Sequence, residues 1–294
     1  MNYSAIELNI DNRVALIRLN RPTDGNAVTV ELATELLDAV THCDGDPSIR
    51  AVILTGAGAM FCVGGDLKEF SRQGANAGRY TKDVTHAFHA AISRMNRMDA
   101  PVVAAINGTA AGAGFSLALA TDLAVAAESA RFTMAYTRAG LSPDGSSTYF
   151  LARHVGLRRA KEMALLNPVL NARQAMDWGL VNRIVPNEDV LCTAMALAKE
   201  LALGARCAQG EAKRLILAGV NESLETQMES ETRAIARMAD SLMAAKGLQH
   251  SPRNARRRSN EWHRTWFSKC AACSVRRSAT QPFAPTDVFG RYAF

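Results

Sequence analysis

Nowhere in the 294 residues is there a run approaching the roughly 20 apolar residues that a membrane-spanning helix requires. The first ten residues, MNYSAIELNI, lack the basic segment and apolar core of a secretory signal, so the expected location is cytoplasmic. A basic face for a polyanion is missing too. The formal charge is +6, but 10 Lys and Arg against 2 acidic residues fall in 241–294. The first 240 residues keep 24 basic and 26 acidic side chains, so the body offers nucleic acid no electrostatic footprint. Metal-ligand spacing is also scarce. Cys43, Cys62, Cys192 and Cys207 are scattered and read as reduced, buried thiols, while Cys270 and Cys273 form one C-x-x-C without a second. No metal is expected.

What remains is ordinary globular composition, 48% apolar and 21% charged. Segments 6–10 and 14–19 alternate apolar and polar residues around Asp11-Asn12, the pattern of a β-hairpin. Thr29 caps a helical pattern that ends before Asp44. The short apolar runs 51–55 and 101–106 read as strands covered on both faces, with 123–127 as a third. A long helix over about 79–98 and a small-residue helix from Gly112 separate them. This strand–helix alternation predicts a layered α/β fold with right-handed crossovers. Beyond Asp144 the pattern becomes helical: 146–154, 158–166, 171–178, 188–203, 210–217 and 221 to about 240.

Two loops carry the candidate chemistry. Phe61-Cys62-Val63-Gly64-Gly65-Asp66-Leu67 follows the strand ending at Thr55, and Asn107-Gly108-Thr109-Ala110-Ala111-Gly112-Ala113-Gly114 follows the strand ending at Ile106. Both leave strand C-termini, where α/β sheets place ligands. Their small residues allow close approach to main-chain N–H groups, and the second loop opens a helix. Read one at a time, the glycines equally serve tight turns and packing. One donor from each loop, meeting at one oxygen, would make an oxyanion hole.

These segments resemble the crotonase (enoyl-CoA hydratase/isomerase) superfamily. The resemblance is carried by Leu19-Asn20-Arg21-Pro22, Asn26-Ala27, the two loops, Asp177-Trp178-Gly179-Leu180-Val181-Asn182 and Val185-Pro186, in order over about residues 5–240. It implies a spiral of ββα turns with a helical C-terminal region: an acyl-CoA-binding core over 1–200 and a trimerising helical region over 201–241. The implied partner is an acyl-CoA thioester, with CoA as part of the substrate rather than a separate cofactor, and the implied assembly is a homotrimer or hexamer. The oxyanion donors map to Gly65 and Ala113. Thr23, Asp24, Ala27, Val63, Asp66 and Leu67 map to the surroundings of CoA, although many relatives carry Lys where Thr23 stands.

The acid and base residues decide the reaction. The two glutamates of enoyl-CoA hydratases correspond here to Ser116 and Tyr136, substrate-facing positions at which neither side chain is a ready base near neutral pH. The remaining carboxylate is Asp144, in Gly140-Leu141-Ser142-Pro143-Asp144-Gly145. Its position before a helix suits an N-cap bonded to Ser146 or Ser147. It also resembles the base of ring-1,2-epoxyphenylacetyl-CoA isomerase, of dienoyl-CoA isomerase and of 4-chlorobenzoyl-CoA dehalogenase, and Arg131-Phe-Thr-Met-Ala-Tyr136 is most similar to the first. A double-bond or ring-opening isomerase with Asp144 as base is therefore expected, with an enoyl-CoA hydratase in the broad sense, a 4-halobenzoyl-CoA dehalogenase and a catalytically weak acyl-CoA-binding protein as the alternatives. His89 matches a catalytic histidine of the dehalogenase, or else sits on a helix surface. Glu69 reads as a solvated carboxylate and Trp178 as a core residue.

After about Asp240 the family pattern stops. Back-translated with GC-rich codons and read two bases later, the chain from Leu242 gives Asp-Gly-Arg-Glu-Gly-Leu-Ala-Ala-Phe-Ala-Glu-Lys-Arg-Ala-Pro-Ala-Phe, which is similar to the usual family terminus. Residues 242–294 are accordingly expected to be a frameshifted, disordered basic tail, which sequencing of the gene tests. Trp262, Trp266 and Phe267 among its arginines are the rival signature of a nucleic-acid-binding arm.

Overall fold

Strands β1 (Ile6–Asp11) and β2 (Val14–Leu19) form the antiparallel hairpin that the alternation predicts. The turn itself is Asn12-Arg13, both at positive φ, one residue later than the sequence places it. A computed structural model describes residues 2–240. The expectations for the tail, including the frameshift and the Cys270/Cys273 pair, lie outside the described residues.

Helix α1 (Val30–Gly45) starts at Thr29, whose hydroxyl accepts from the Leu32 amide at 3.2 Å. It runs through Asp44 and Gly45, slightly longer than expected. Strand β3 (Ala51–Gly56) is buried at every residue. The short α2 (Leu67–Arg72) and the amphipathic α3 (Ala77–Arg97) follow, and α3 turns Phe88, Ala91, Ile92 and Met95 inward against α1. Then come β4 (Val102–Ile106), also wholly buried, β5 (Ala110–Ala111), α4 (Ala113–Leu119) and β6 (Leu123–Ala127).

After β7 (Arg131–Thr133), α5 (Ser147–Leu166) is two helical stretches meeting at Gly156, whose φ of 77° interrupts the helix. The break falls between the two helices expected there. Strand β8 (Leu170–Asn171), α6 (Ala172–Asp177) and β9 (Arg183–Val185) lead to α7 (Val190–Leu203), α8 (Arg206–Gly219) and α9 (Leu224–Asp240). Trp178 caps α6 half-buried against the core, with the Arg159 guanidinium 4.8 Å from its ring centroid.

The main sheet has the order β1-β2-β3-β4-β6-β9 and is parallel from β2 onward. A small second sheet, β5-β7-β8, stands beside it. Repeated strand pairs with intervening helices give the expected α/β spiral with a helical C-terminal region. Lys213 of α8 pins that region to the sheet: its Nζ lies 2.7 Å from Asp122 Oδ2, which also accepts from the Val102 amide. Burial pulls the lysine pKa down, opposed by the Asp122 charge. Among the described residues, no helix is long and apolar enough to cross a membrane. Cys43 and Cys62 are buried as expected, but Cys192 and Cys207 are exposed because their helices turn those positions outward.

Candidate active site

The site is built where the loops after β3 and β4 are stitched together. The Cys62 amide donates to Thr109 O at 3.1 Å, and the Ala111 amide donates to Cys62 O at 2.9 Å, a one-residue parallel bridge between the loops. Gly114 packs so tightly on this bridge that an added Cβ would lie 2.1 Å from Cys62 O. Gly64, at φ 110°, runs alongside the second loop less tightly, with its virtual Cβ 3.1 Å from Ala111 O and 3.5 Å from Ala113 N. Burial pushes the Cys62 thiol up to about 12, so this sulfur packs and is no nucleophile.

On the other side, the Val28 amide donates to Gly64 O and the Asp66 amide to Val28 O, at 2.7 and 3.1 Å. Alternation along such a bridge turns the Gly65 N–H to the opposite side. The Ala113 N–H, at the first residue of α4, has no intrahelical partner. Among the described residues, neither amide meets an acceptor. Both residues line one cavity of about 140 Å³, walled chiefly by Phe70, Tyr80, Val84, Phe88, Leu141 and Tyr136.

Asp144 lies in the wall of the same cavity, with its side chain 29% exposed. The N-cap alternative fails for that side chain. It is the main-chain oxygen of Asp144 that accepts from Ser147, from the amide at 3.1 Å and from the hydroxyl at 2.8 Å. The carboxylate instead receives the Tyr136 hydroxyl, with Oη 2.5 Å from Oδ1. Desolvation, then the Asp144 charge and this hydrogen bond, hold the Tyr136 phenol far above its ordinary pKa, so it remains a neutral donor. His89 lies on the other flank, Nε2 3.8 Å from Asp144 Oδ2, and accepts from the Gly145 amide at 3.1 Å. Ser116, expected to face substrate, does not: it is fully buried behind Tyr136, with Oγ 2.9 Å from its hydroxyl. It points that way because α4 turns this position toward the backbone of Gly112 and Asp144.

A second cleft, of about 540 Å³, opens next to the first. All six residues expected around CoA line it: Thr23, Asp24, Ala27, Val63, Asp66 and Leu67. Val63, Gly65, Asp66 and Leu67 line both spaces. Asp66 is also structural. It caps α2 through the Glu69 amide and pairs with Arg21 at 3.1 Å; burial works against its charge, but these bonds outweigh that and lower its pKa. Glu69 turns away to Arg72 and Gln73.

The sequence reading gave no role to three residues that matter here. Lys68 reaches the second cleft with a 79% exposed side chain, its Nζ 3.7 Å from Asp24 Oδ1. Arg21 joins Asp24, Asp66 and the Ala27 carbonyl. Asn26, wholly buried, accepts from the Arg21 amide and donates to the carbonyls of Ala57, Met60 and Phe61, holding the first loop in place. Asn26-Ala27 stood in the family pattern; the positive φ of 58° at Asn26 was a signal only a structure supplies.

Residues 9–263 match the family described as enoyl-CoA hydratase/isomerase, which carries the match beyond the Asp240 limit set by the motifs. The chain is 38% identical over 223 residues to "4-chlorobenzoyl coenzyme A dehalogenase-2" of Arthrobacter sp, covering 76% of this chain and 81% of that protein. It is 35% identical over 223 residues to "1,2-epoxyphenylacetyl-CoA isomerase" of Escherichia coli K12, covering 76% and 85%. Among solved structures, an enoyl-CoA hydratase from Polaromonas sp. JS666 superposes with a TM-score of 0.80 at 32% identity, covering 84% of this chain and 96% of that one. The protein belongs to the enoyl-CoA hydratase/isomerase family.

Proposed function

We propose that the protein is an acyl-CoA isomerase in which the Gly65 and Ala113 amides hold the thioester oxygen while Asp144 moves a proton. One observation carries this reading. The Asp144 carboxylate, free of the arginine that engages Asp66, stands in a largely apolar cavity beside two main-chain N–H groups that, among the described residues, have no acceptor. Two such donors stabilise the charge that builds on the carbonyl as the α-proton leaves. Asp144 takes that proton, and its return at the γ-carbon shifts the double bond. The reaction needs one base and no redox or nucleotide cofactor; CoA enters with the substrate. The second cleft, with Lys68 and Thr23 at its edge, suits the polar, phosphate-bearing carrier. The first cavity is close in volume to the roughly 150 Å³ that holds one benzene ring, which supports a single-ring or short acyl group.

A panel of thioesters tests the assignment. A 3-enoyl-CoA or a ring-epoxide thioester is expected to isomerise at least about tenfold faster than a trans-2-enoyl-CoA is hydrated. Faster hydration would overturn it. Hydration is disfavoured because Ser116 and Tyr136 replace the two carboxylates it uses.

His89 favours a second reading, 4-halobenzoyl-CoA dehalogenation, with Asp144 attacking the halogen-bearing ring carbon. Against it, the resemblance aligns Gly65 and Tyr136 with two aromatic residues of the dehalogenase ring pocket, and Gly65 leaves one of them missing; the Gly145 amide also already occupies His89 Nε2. Halide release from 4-chlorobenzoyl-CoA in the same panel would establish it.

Assembly is part of the proposal. Leu203, Ile216, Leu224, Met228 and Ile235 expose large apolar side chains on the C-terminal helices, the region the family resemblance implies for self-association. A trimer, or a dimer of trimers, covers them. Light scattering is expected to give three or six times the 31.7 kDa chain mass, and a monomer mass counts against it.

A further inference from the structure

The two oxygens of Asp144 are not equivalent. Oδ1 lies 2.5 Å from the Tyr136 hydroxyl, a donor that cannot be spared elsewhere, because the phenol has one proton. Oδ2 lies on the opposite flank, 3.8 Å from His89 Nε2 and beyond hydrogen-bond distance of it. Behind the phenol, Ser116 Oγ is 2.9 Å from Tyr136 Oη, 3.0 Å from Asp144 O and 3.2 Å from Gly112 O. Ser116 therefore touches the phenol, the main chain of the residue that bears the carboxylate, and the turn that presents the Ala113 amide. Ser116 is wholly buried and Tyr136 partly buried against the core, so both are held by packing as well as by hydrogen bonds.

We propose that Ser116 and Tyr136 act together as positioning residues, a buried clamp that fixes Oδ1 and leaves Oδ2 as the proton-accepting oxygen of Asp144. This rests on the reading of Asp144 as the base. In the step itself, the α C–H bond breaks, its electron pair becomes the thioester enolate, and the proton rests on Oδ2. The same proton then forms the γ C–H bond, so nothing is oxidised or reduced. The clamp restrains rotation of the carboxylate, which keeps Oδ2 aimed during both transfers. It also links the base to the oxyanion side of the site, because Ser116 touches Gly112, one residue before Ala113. Among the described residues, the titratable side chains meeting Asp144 are Tyr136 and His89.

The test compares Tyr136→Phe, Ser116→Ala and Asp144→Asn in the full chain, using whichever thioester of the panel is isomerised. Tyr136→Phe keeps the ring that lines the cavity and removes only the donor. Its kcat is expected to fall about tenfold with KM changed less than about threefold. Ser116→Ala is expected to lower kcat with KM held in the same way, by a smaller amount, and it decides the matter should Tyr136→Phe not fold. A rise in KM with kcat unchanged overturns the clamp, and so does wild-type behaviour of a folded Tyr136→Phe. Asp144→Asn separates the two claims. If it is inactive while both clamp variants behave as wild type, the base stands and the clamp falls; if it retains full turnover, the base reading itself fails.

Discussion

Asp144→Asn is expected to reduce turnover by at least about 10²-fold while leaving the fold intact. The rate argument is that an amide keeps an oxygen for the Tyr136 hydroxyl but has no useful proton affinity. The stability argument comes from the start of α5. Its first donors are met by the main-chain oxygen of Asp144, which the substitution does not touch. The same loss is expected under the dehalogenase reading, since an amide cannot attack the ring. Turnover of the preferred thioester, measured beside a thermal melt, checks both halves. Wild-type turnover would remove Asp144 from the chemistry, and a large drop in melting temperature would assign it a role in folding.

Gly114→Ala is expected to be at least as damaging, by a different route. Its Cβ would sit 2.1 Å from Cys62 O and 2.6 Å from Cys62 Cβ, and no flexible side-chain end is available to move aside. The two loops must part. Overpacking of this kind costs about 1–3 kcal/mol. Separation of the amides at Gly65 and Ala113 removes a shared grip worth about 10²–10³ in rate for each donor lost. Gly65→Ala is the contrast: nothing lies within 4 Å of the Cβ it adds, so its denaturation midpoint is expected to stay at the wild-type value. Urea titrations of the two variants, with kcat for Gly114→Ala, check this. An unshifted midpoint and normal kcat for Gly114→Ala would mean that the loops are not held by this contact.

Most of the scaffold was legible in the sequence because its long elements carry strong periodicity. The apolar runs at β3 and β4, the Thr29 cap and the buried stripe of α3 each state one structure with little competition. The small sheet was not, since β5 and β8 are two residues long and β7 three, too short for any alternation to register. The six residues that the family resemblance placed around CoA line one cleft together, on two short stretches of chain. The first cavity was only half found. Tyr80, Val84 and Phe88 belong to α3, remote in sequence from both glycine loops, and their pattern announces only an amphipathic helix. Ser116 and Tyr136 show the opposite difficulty: their positions were recognised, but whether each faced substrate or the base depended on rotamers that spacing does not encode.

The stretch from Val63 to Leu67 is a party wall between two rooms, and Arg21 is its brace from outside. That guanidinium holds Asp24 on one side and Asp66 on the other, yet Arg21 itself lines neither space. The shape of the second cleft and the placement of the Gly65 amide are therefore mechanically one property, so a change in either is felt at an arginine that lines neither space.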